Sequence, residues 1–177
     1  PVNGLLELRQ AIVNKLAREN DHHYTVNQIV VSNGAKQSVY NLCMALLDPG
    51  DEVILPAPYW VSYAEIVKMA GGVPVIANSS IEQDFKSTPE EIEALITDRT
   101  KFILYSSPCN PSGSVFSFEE LQALALMLQA HEHVLVVSDE IYEHINFTDR
   151  HYTIASMEGM KDRTVIINGM SKGYAMT

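Results

Sequence analysis

The chain has little of several things, and each shortage removes a class of function. It holds two cysteines, Cys43 and Cys109. That is too few for a disulfide framework, and their separation fits no CxxC redox or zinc motif, so a reducing cytoplasm is the expected setting. Basic residues are scarce: 12 Lys plus Arg stand against 22 Asp plus Glu, a net charge of −10. No Lys/Arg cluster interrupts that acidic field, which repels phosphate backbones and argues against nucleic acid as a partner. Long apolar runs are missing too. Stretches such as Val134–Val137 and Ala123–Leu128 fall far short of the roughly 18 residues a membrane-spanning helix needs, so no membrane partner is expected. The opening Pro1-Val2-Asn3-Gly4 has neither the basic nor the apolar region of a secretory signal, nor an initiator Met, and reads as the start of a fragment.

What is present is globular: 46% apolar and 19% charged residues in a chain of 177. That length is near the usual quota of about 150 for one domain, or a piece of one. No low-complexity tract, repeat period or long linker divides it. Short apolar runs recur at Ile29–Ser32, Val53–Pro56, Val73–Ala77, Phe102–Ser106, Val134–Ser138 and Val165–Asn168, giving six candidate strands. Most are apolar on consecutive residues, as strands buried on both faces of a parallel sheet require. Helical segments lie between them. Thr88-Pro89-Glu90-Glu91 and Ser117-Phe118-Glu119-Glu120 carry the hydroxyl-x-x-carboxylate box of helix starts, the first with Pro at the first helical position. After the second cap, Leu121, Leu124, Ala125 and Leu128 share one helical face. Asp48-Pro49-Gly50-Asp51 reads as the turn ending a helix that starts near Gly34. The expectation is an α/β fold with a mainly parallel sheet and helices on both faces.

Such sheets bind ligands where the carboxyl ends of the strands meet the following loops. Gly34-Ala35-Lys36 follows the first candidate strand and opens a helix, which suits a phosphate or an ordinary turn equally. Asp139 ends an apolar strand, where it either pairs with a protonated ligand nitrogen or caps the next helix. Tyr142 shares its loop. Pro108-Cys109-Asn110-Pro111-Ser112-Gly113 is a rigid connection that either aims Asn110 at a ligand or only turns the chain. Trp60 is a stacking surface or core filler. Lys172 lies past the last candidate strand, where a lysine of lowered pKa can form a Schiff base and a surface lysine is the ordinary alternative. His22, His23, His131 and His133 read as solvated loop residues without a metal-ligand cluster. Glu90, Glu91 and Glu93 read as a solvated helix start.

Taken together, Ser32-Asn33-Gly34-Ala35-Lys36-Gln37, Pro58-Tyr59-Trp60, Pro108-x-Asn110-Pro111-Ser112-Gly113, Ser138-Asp139-Glu140-Ile141-Tyr142 and Ser171-Lys172-x-Tyr174-Ala175-Met176-Thr177 occur in one order. Leu5-x-x-Leu8-Arg9-x-Ala11-Ile12 precedes them. The whole chain resembles the class I/II pyridoxal-phosphate aminotransferases, most closely their bacterial aspartate-aminotransferase-like branch. The resemblance implies roles for particular residues. Lys172 would be the Schiff-base lysine and proton carrier, and Asp139 would pair with the pyridinium nitrogen. Tyr142 and Asn110 would bond the ring's 3-oxygen, with Asn110 also near the substrate carboxylate, and Trp60 would stack on the ring. Gly34, Ala35, Lys36 and Ser171 would hold the 5′-phosphate. No metal is implied.

Two departures from the family pattern soften the phosphate assignment: Gly169 stands where many relatives have Ser or Thr, and Ser112 replaces a commoner Thr. The ending is the larger one. By this resemblance, residues 1–177 are the central part of a fold-type-I large domain. A Gly-Trp-Arg run, the small domain and an N-terminal segment donating a Tyr across a homodimer would lie outside them, in a protein of about 400 residues, well above a single-domain length. The implied function is transfer of an amino group from an amino acid to a 2-oxo acid. The isolated piece is expected to be inactive, and to dimerise or aggregate through exposed sheet edge and apolar surface. Other chemistry on the same cofactor, such as C–S β-elimination, and a non-enzymatic sensor domain of a regulator are the alternatives, because fold does not choose the reaction.

Overall fold

A computed structural model of the chain describes residues 1–148 and 150–177. Five strands, β1 (Glu52–Pro56), β2 (Val73–Ala77), β3 (Thr100–Ser106), β4 (Leu135–Asp139) and β5 (Thr164–Ile167), form one sheet in the order β2-β1-β3-β4-β5. Every pairing in it is parallel.

The consecutive apolar residues of the strands have a simple cause: both faces are covered, so both sets of alternating side chains must be apolar. On one face, Val53, Leu55, Phe102, Leu104 and Val137 pack against α2 (Ala35–Leu46) and α3 (Ser62–Met69) through Val39, Cys43, Tyr63 and Val67. On the other, Ile54, Ile103, Tyr105 and Val136 meet α4 (Pro89–Glu93) and α5 (Phe118–Gln129) through Ile92, Leu121, Leu124 and Leu128. Both anticipated caps form. Thr88 Oγ1 accepts the Glu91 N–H at 3.3 Å and Ser117 Oγ accepts the Glu120 N–H at 3.2 Å, while Glu91 and Glu120 each return a carboxylate to the cap N–H. Glu91 is therefore a capping partner as well as a solvated residue. Glu93 meets His131 at 3.0 Å. The turn after α2 closes through Asp51 N–H to Asp48 O at 3.0 Å, with Gly50 at φ +93°, a conformation that favours glycine.

The first candidate strand is a correction. Ile29–Ser32 is not in the sheet: its Val31 N–H bonds Asn3 O at 3.2 Å, and Val30 is 64% exposed. An apolar β-branched run becomes a strand only where a neighbour completes its ladder, and none does so among the described residues. His22 is a second correction. It is buried, its ring 5.9 Å from that of Tyr24, and burial pushes its pKa down. α1 (Leu6–Asn20) buries only Leu16 and is tied to the domain by polar contacts. Chief among these is Lys15 with Glu143. Among the described residues, no helix is long and apolar enough to cross a membrane.

Candidate active site

Because all five strands run the same way, their carboxyl ends gather at one edge of the sheet. The order reverses between β1 and β3, and doubly wound folds bind their ligands at such a switch point. Trp60 follows β1, Asn110 follows β3, Asp139 ends β4 and Lys172 follows β5. Four of the residues singled out from sequence therefore come from four strand exits.

Two contact groups result. In the first, Asn110 Nδ2 lies 3.5 Å from the Tyr142 hydroxyl, and Lys172 Nζ lies 5.9 Å from the centre of the Tyr142 ring. Lys172 is exposed and sits in a turn closed by Tyr174 N–H to Met170 O at 3.2 Å. In the second, Tyr63 donates to Asp139 Oδ2 at 2.6 Å, and Trp60 meets the Tyr63 ring edge-on, centroids 5.5 Å apart. Lys36 Nζ sits 4.9 Å from the Trp60 ring centre, linking the start of α2 to this group.

Asp139 is 4% exposed. Burial raises its pKa above the ordinary carboxylate value, and the field of Glu140 adds to that. The Tyr63 hydroxyl and the Ile141 N–H, at 3.2 Å from Oδ1, work in the opposite direction without cancelling it. Among the described residues no cation pairs with Asp139. A desolvated carboxyl with neutral donors on both oxygens fits a protonated heterocyclic nitrogen, which would supply the missing charge. At the other end, α2 starts with Gly34 at the cap position, φ +91°, and no side chain caps the helix. The first-turn N–H groups of Ala35 and Lys36 have the dipole and direction that suit an anion. Ser171 is half-buried one residue before Lys172, and no hydrogen bond joins it to Gly34, Ala35 or Lys36 among the described residues. These features fit an aromatic phosphate carrying a ring nitrogen.

Sequence reasoning missed three contributors. Tyr63 reads as core because it lies three residues after Trp60 on an apolar helix. Ser106, the last residue of β3, reads as part of the strand. Glu143 accepts from Lys15, from Asn20 at 3.2 Å and from Asn168 at 2.8 Å, anchoring the segment that leads to Lys172. Burial opposes its ionisation, but Lys15, Asn20 and Asn168 outweigh that and hold its pKa below the ordinary value. The position of Ser106 opposite Asp139 in adjacent strands could have been anticipated by aligning the two strand ends.

The family profile described as aminotransferase class I and II matches residues 1–177. A probable aspartate/prephenate aminotransferase of Rickettsia conorii is 49% identical over 99% of this chain, which covers 44% of that protein. A bifunctional aspartate aminotransferase and glutamate/aspartate-prephenate aminotransferase of Petunia hybrida is 47% identical over 100% of the chain and 37% of its own length. The crystal structure of an aspartate aminotransferase from Rhizobium meliloti superposes with a TM-score of 0.97 at 46% identity, covering 99% of this chain and 44% of that one. The chain thus spans less than half the length of these relatives. It belongs to the class I and II aminotransferase family.

Proposed function

We propose that residues 1–177 form the cofactor-binding part of the large domain of a pyridoxal-phosphate-dependent aminotransferase, moving an amino group between an amino acid and a 2-oxo acid. The observation that carries this reading is the buried carboxyl of Asp139 at a strand exit, met by no cation among the described residues and on the same sheet edge as Lys172. Pyridoxal phosphate supplies an electron sink that stabilises negative charge at the substrate's α-carbon.

The chain's own residues hold and orient. Asp139 pairs with the ring nitrogen and keeps it protonated. Trp60 covers one ring face and fixes its plane, so that the bond to be broken stays aligned. Asn110 and Tyr142 bond the ring's 3-oxygen, Asn110 also lying near the substrate carboxylate. Gly34, Ala35, Lys36 and Ser171 hold the phosphate. Lys172 would hold the cofactor through its Nζ, and the same amine would serve as the acid–base group at the substrate's α-carbon. The names of the relatives, all aminotransferases, favour transamination over β-elimination or a sensor role. A homodimer and a reducing cytoplasm belong to the same proposal; the unpaired thiols of Cys43 and Cys109 support the compartment.

The test uses the full-length protein with pyridoxal phosphate, borohydride reduction and peptide mapping. Label is expected on Lys172, and label on another lysine would overturn the site. Amino-group transfer from aspartate or glutamate to a 2-oxo acid is expected; release of ammonia without an acceptor would favour the elimination reading.

A further inference from the structure

Two short turns meet beside the site, and α1 braces one of them from outside. The turn after β4 carries Tyr142, Glu143 and His144, and closes through Glu143 N–H to Glu140 O at 3.0 Å and Ile145 N–H to Tyr142 O at 2.7 Å. The turn after β5 carries Lys172, Gly173 and Tyr174. Two rings of the first support the second. The centre of the Tyr142 ring lies 5.9 Å from Lys172 Nζ, and the His144 ring meets that of Tyr174 at 69°, centroids 5.3 Å apart. Gly173 rests on the same histidine: a β-carbon there would come within 3.1 Å of His144 Cβ and 3.3 Å of its Nδ1. The other edge of the imidazole faces α1. His144 Nε2 lies 3.2 Å from Glu19 Oε2, and because a carboxylate only accepts, that nitrogen carries the proton. His144 Nδ1 is 3.7 Å from Glu143 Oε1, while Lys15 Nζ contacts Glu143 and lies 3.6 Å from Glu19. One imidazole therefore joins three segments, through Glu19 of α1, Glu143 of its own turn and Tyr174 of the Lys172 turn.

We propose that His144 is a positioning residue: fixed by Glu19 of α1, it seats the Lys172 turn so that the lysine amine stays beside Tyr142. This rests on the cofactor reading above. Three features support it. Asn168 donates to Glu143 at 2.8 Å and so fixes the chain before Lys172, whereas His144 touches it after Lys172, at Gly173 and Tyr174. The lysine is held on both sides, and an amine acts efficiently only when presented in one geometry. Desolvation works against the Glu19 charge, but hydrogen bonds from Arg18 and His144 and the Lys15 field outweigh it and hold its pKa below the ordinary value, so Glu19 remains the acceptor for the imidazole. Tyr142 and His144 also belong to one turn, so whatever fixes His144 fixes the ring under Lys172 Nζ with it.

The experiment uses the full-length protein. Three quantities are read: the dissociation constant for pyridoxal phosphate added to cofactor-free protein, the pH at which the visible absorbance of the bound cofactor titrates, and the urea unfolding midpoint. His144→Ala is expected to weaken binding about threefold and to displace the absorbance titration by about half a pH unit, since it removes one hydrogen bond and one ring contact from behind the lysine. Glu19→Ala should displace the titration in the same direction by less, and its effect should vanish in the His144→Ala background because Glu19 acts through the imidazole. A lowered urea midpoint with an unmoved titration in His144→Ala would make the residue merely structural and overturn the proposal, as would an undiminished Glu19→Ala effect in the double variant. Should His144→Ala not fold, Glu19→Ala decides alone, and a wild-type titration in it overturns the positioning role. Lys172→Ala separates the two levels. Loss of the titrating absorbance there with a wild-type titration in His144→Ala sinks only the positioning role, whereas a wild-type titration in Lys172→Ala sinks the cofactor reading and the positioning role together.

Discussion

Asp139 and Glu140 are adjacent, acidic and almost fully buried, yet they face opposite sides of the sheet and meet opposite fates. Glu140, 2% exposed, receives Ser138 Oγ–H at 2.9 Å on one oxygen and faces His151 Nε2 at 3.0 Å on the other. Its partners include a base able to share a proton. Among the described residues, Asp139 is met by a phenol and a backbone N–H and by no cation. The difference teaches how to separate a structural acid from one awaiting a ligand: the first is completed by the chain's own basic group, the second is held in place and left short of a cation.

The largest expected effect breaks this contrast at Asp139. Asp139→Asn in the full-length protein should weaken pyridoxal phosphate binding by at least about a hundredfold, the scale of a lost partner in a buried charge pair. The cofactor-free protein should resist urea as well as before or better by about 1 kcal/mol, because an amide avoids the cost of a buried charge. Equilibrium dialysis and urea unfolding read both, and a less stable apoprotein with unchanged affinity would reverse the assignment of roles. Glu140→Gln should do the opposite. About 2 kcal/mol of unfolding free energy should disappear with the altered Ser138 and His151 contacts, while the cofactor dissociation constant stays within about threefold. A large change in affinity with intact stability would make Glu140 part of the binding machinery.

The smallest effect sharpens the comparison through Glu143, a third buried acid, whose cation is Lys15. Lys15, Asn20 and Asn168 hold its pKa below the ordinary glutamate value, so its contribution is complete above that ordinary value and is lost as pH falls through the depressed folded-state value. Lys15→Met should cost about 1 kcal/mol near neutrality and progressively less as pH falls below the ordinary carboxylate range. Urea midpoints from pH 7 down to pH 3 would show the two curves converging. Parallel curves would mean that the pair adds nothing beyond packing.

Much of this architecture is legible in sequence because local chemistry decides it. Thr88 and Ser117 announce their helices through a hydroxyl and a carboxylate three residues apart, and the consecutive apolar residues of β3 and β4 announce burial on both faces. Ile29–Ser32 misleads because its β-branched run satisfies every local criterion for a strand, while ladder formation depends on a neighbour that no local window contains. His22 misleads for a related reason: its burial comes from tertiary packing beside Tyr24. In the site, Asp139 and Lys172 stand out by being charged at strand exits. Tyr63 and Ser106 do not, since a tyrosine on an apolar helix acquires meaning only when the fold carries it to the Asp139 carboxyl, and a serine at a strand end only when parallel register sets it beside Asp139. Lys15 and Glu143 are 128 residues apart, and nothing in either neighbourhood points to the other.

The Glu143 clasp on Asn168 has a mechanical consequence for the amine beyond it. Asn168 also accepts the Gly169 N–H at 2.7 Å through its own side chain, so the backbone is pinned there from both directions. Lys172 thus lies four residues from a fixed point, and its α-carbon can be no farther than about 14 Å from it.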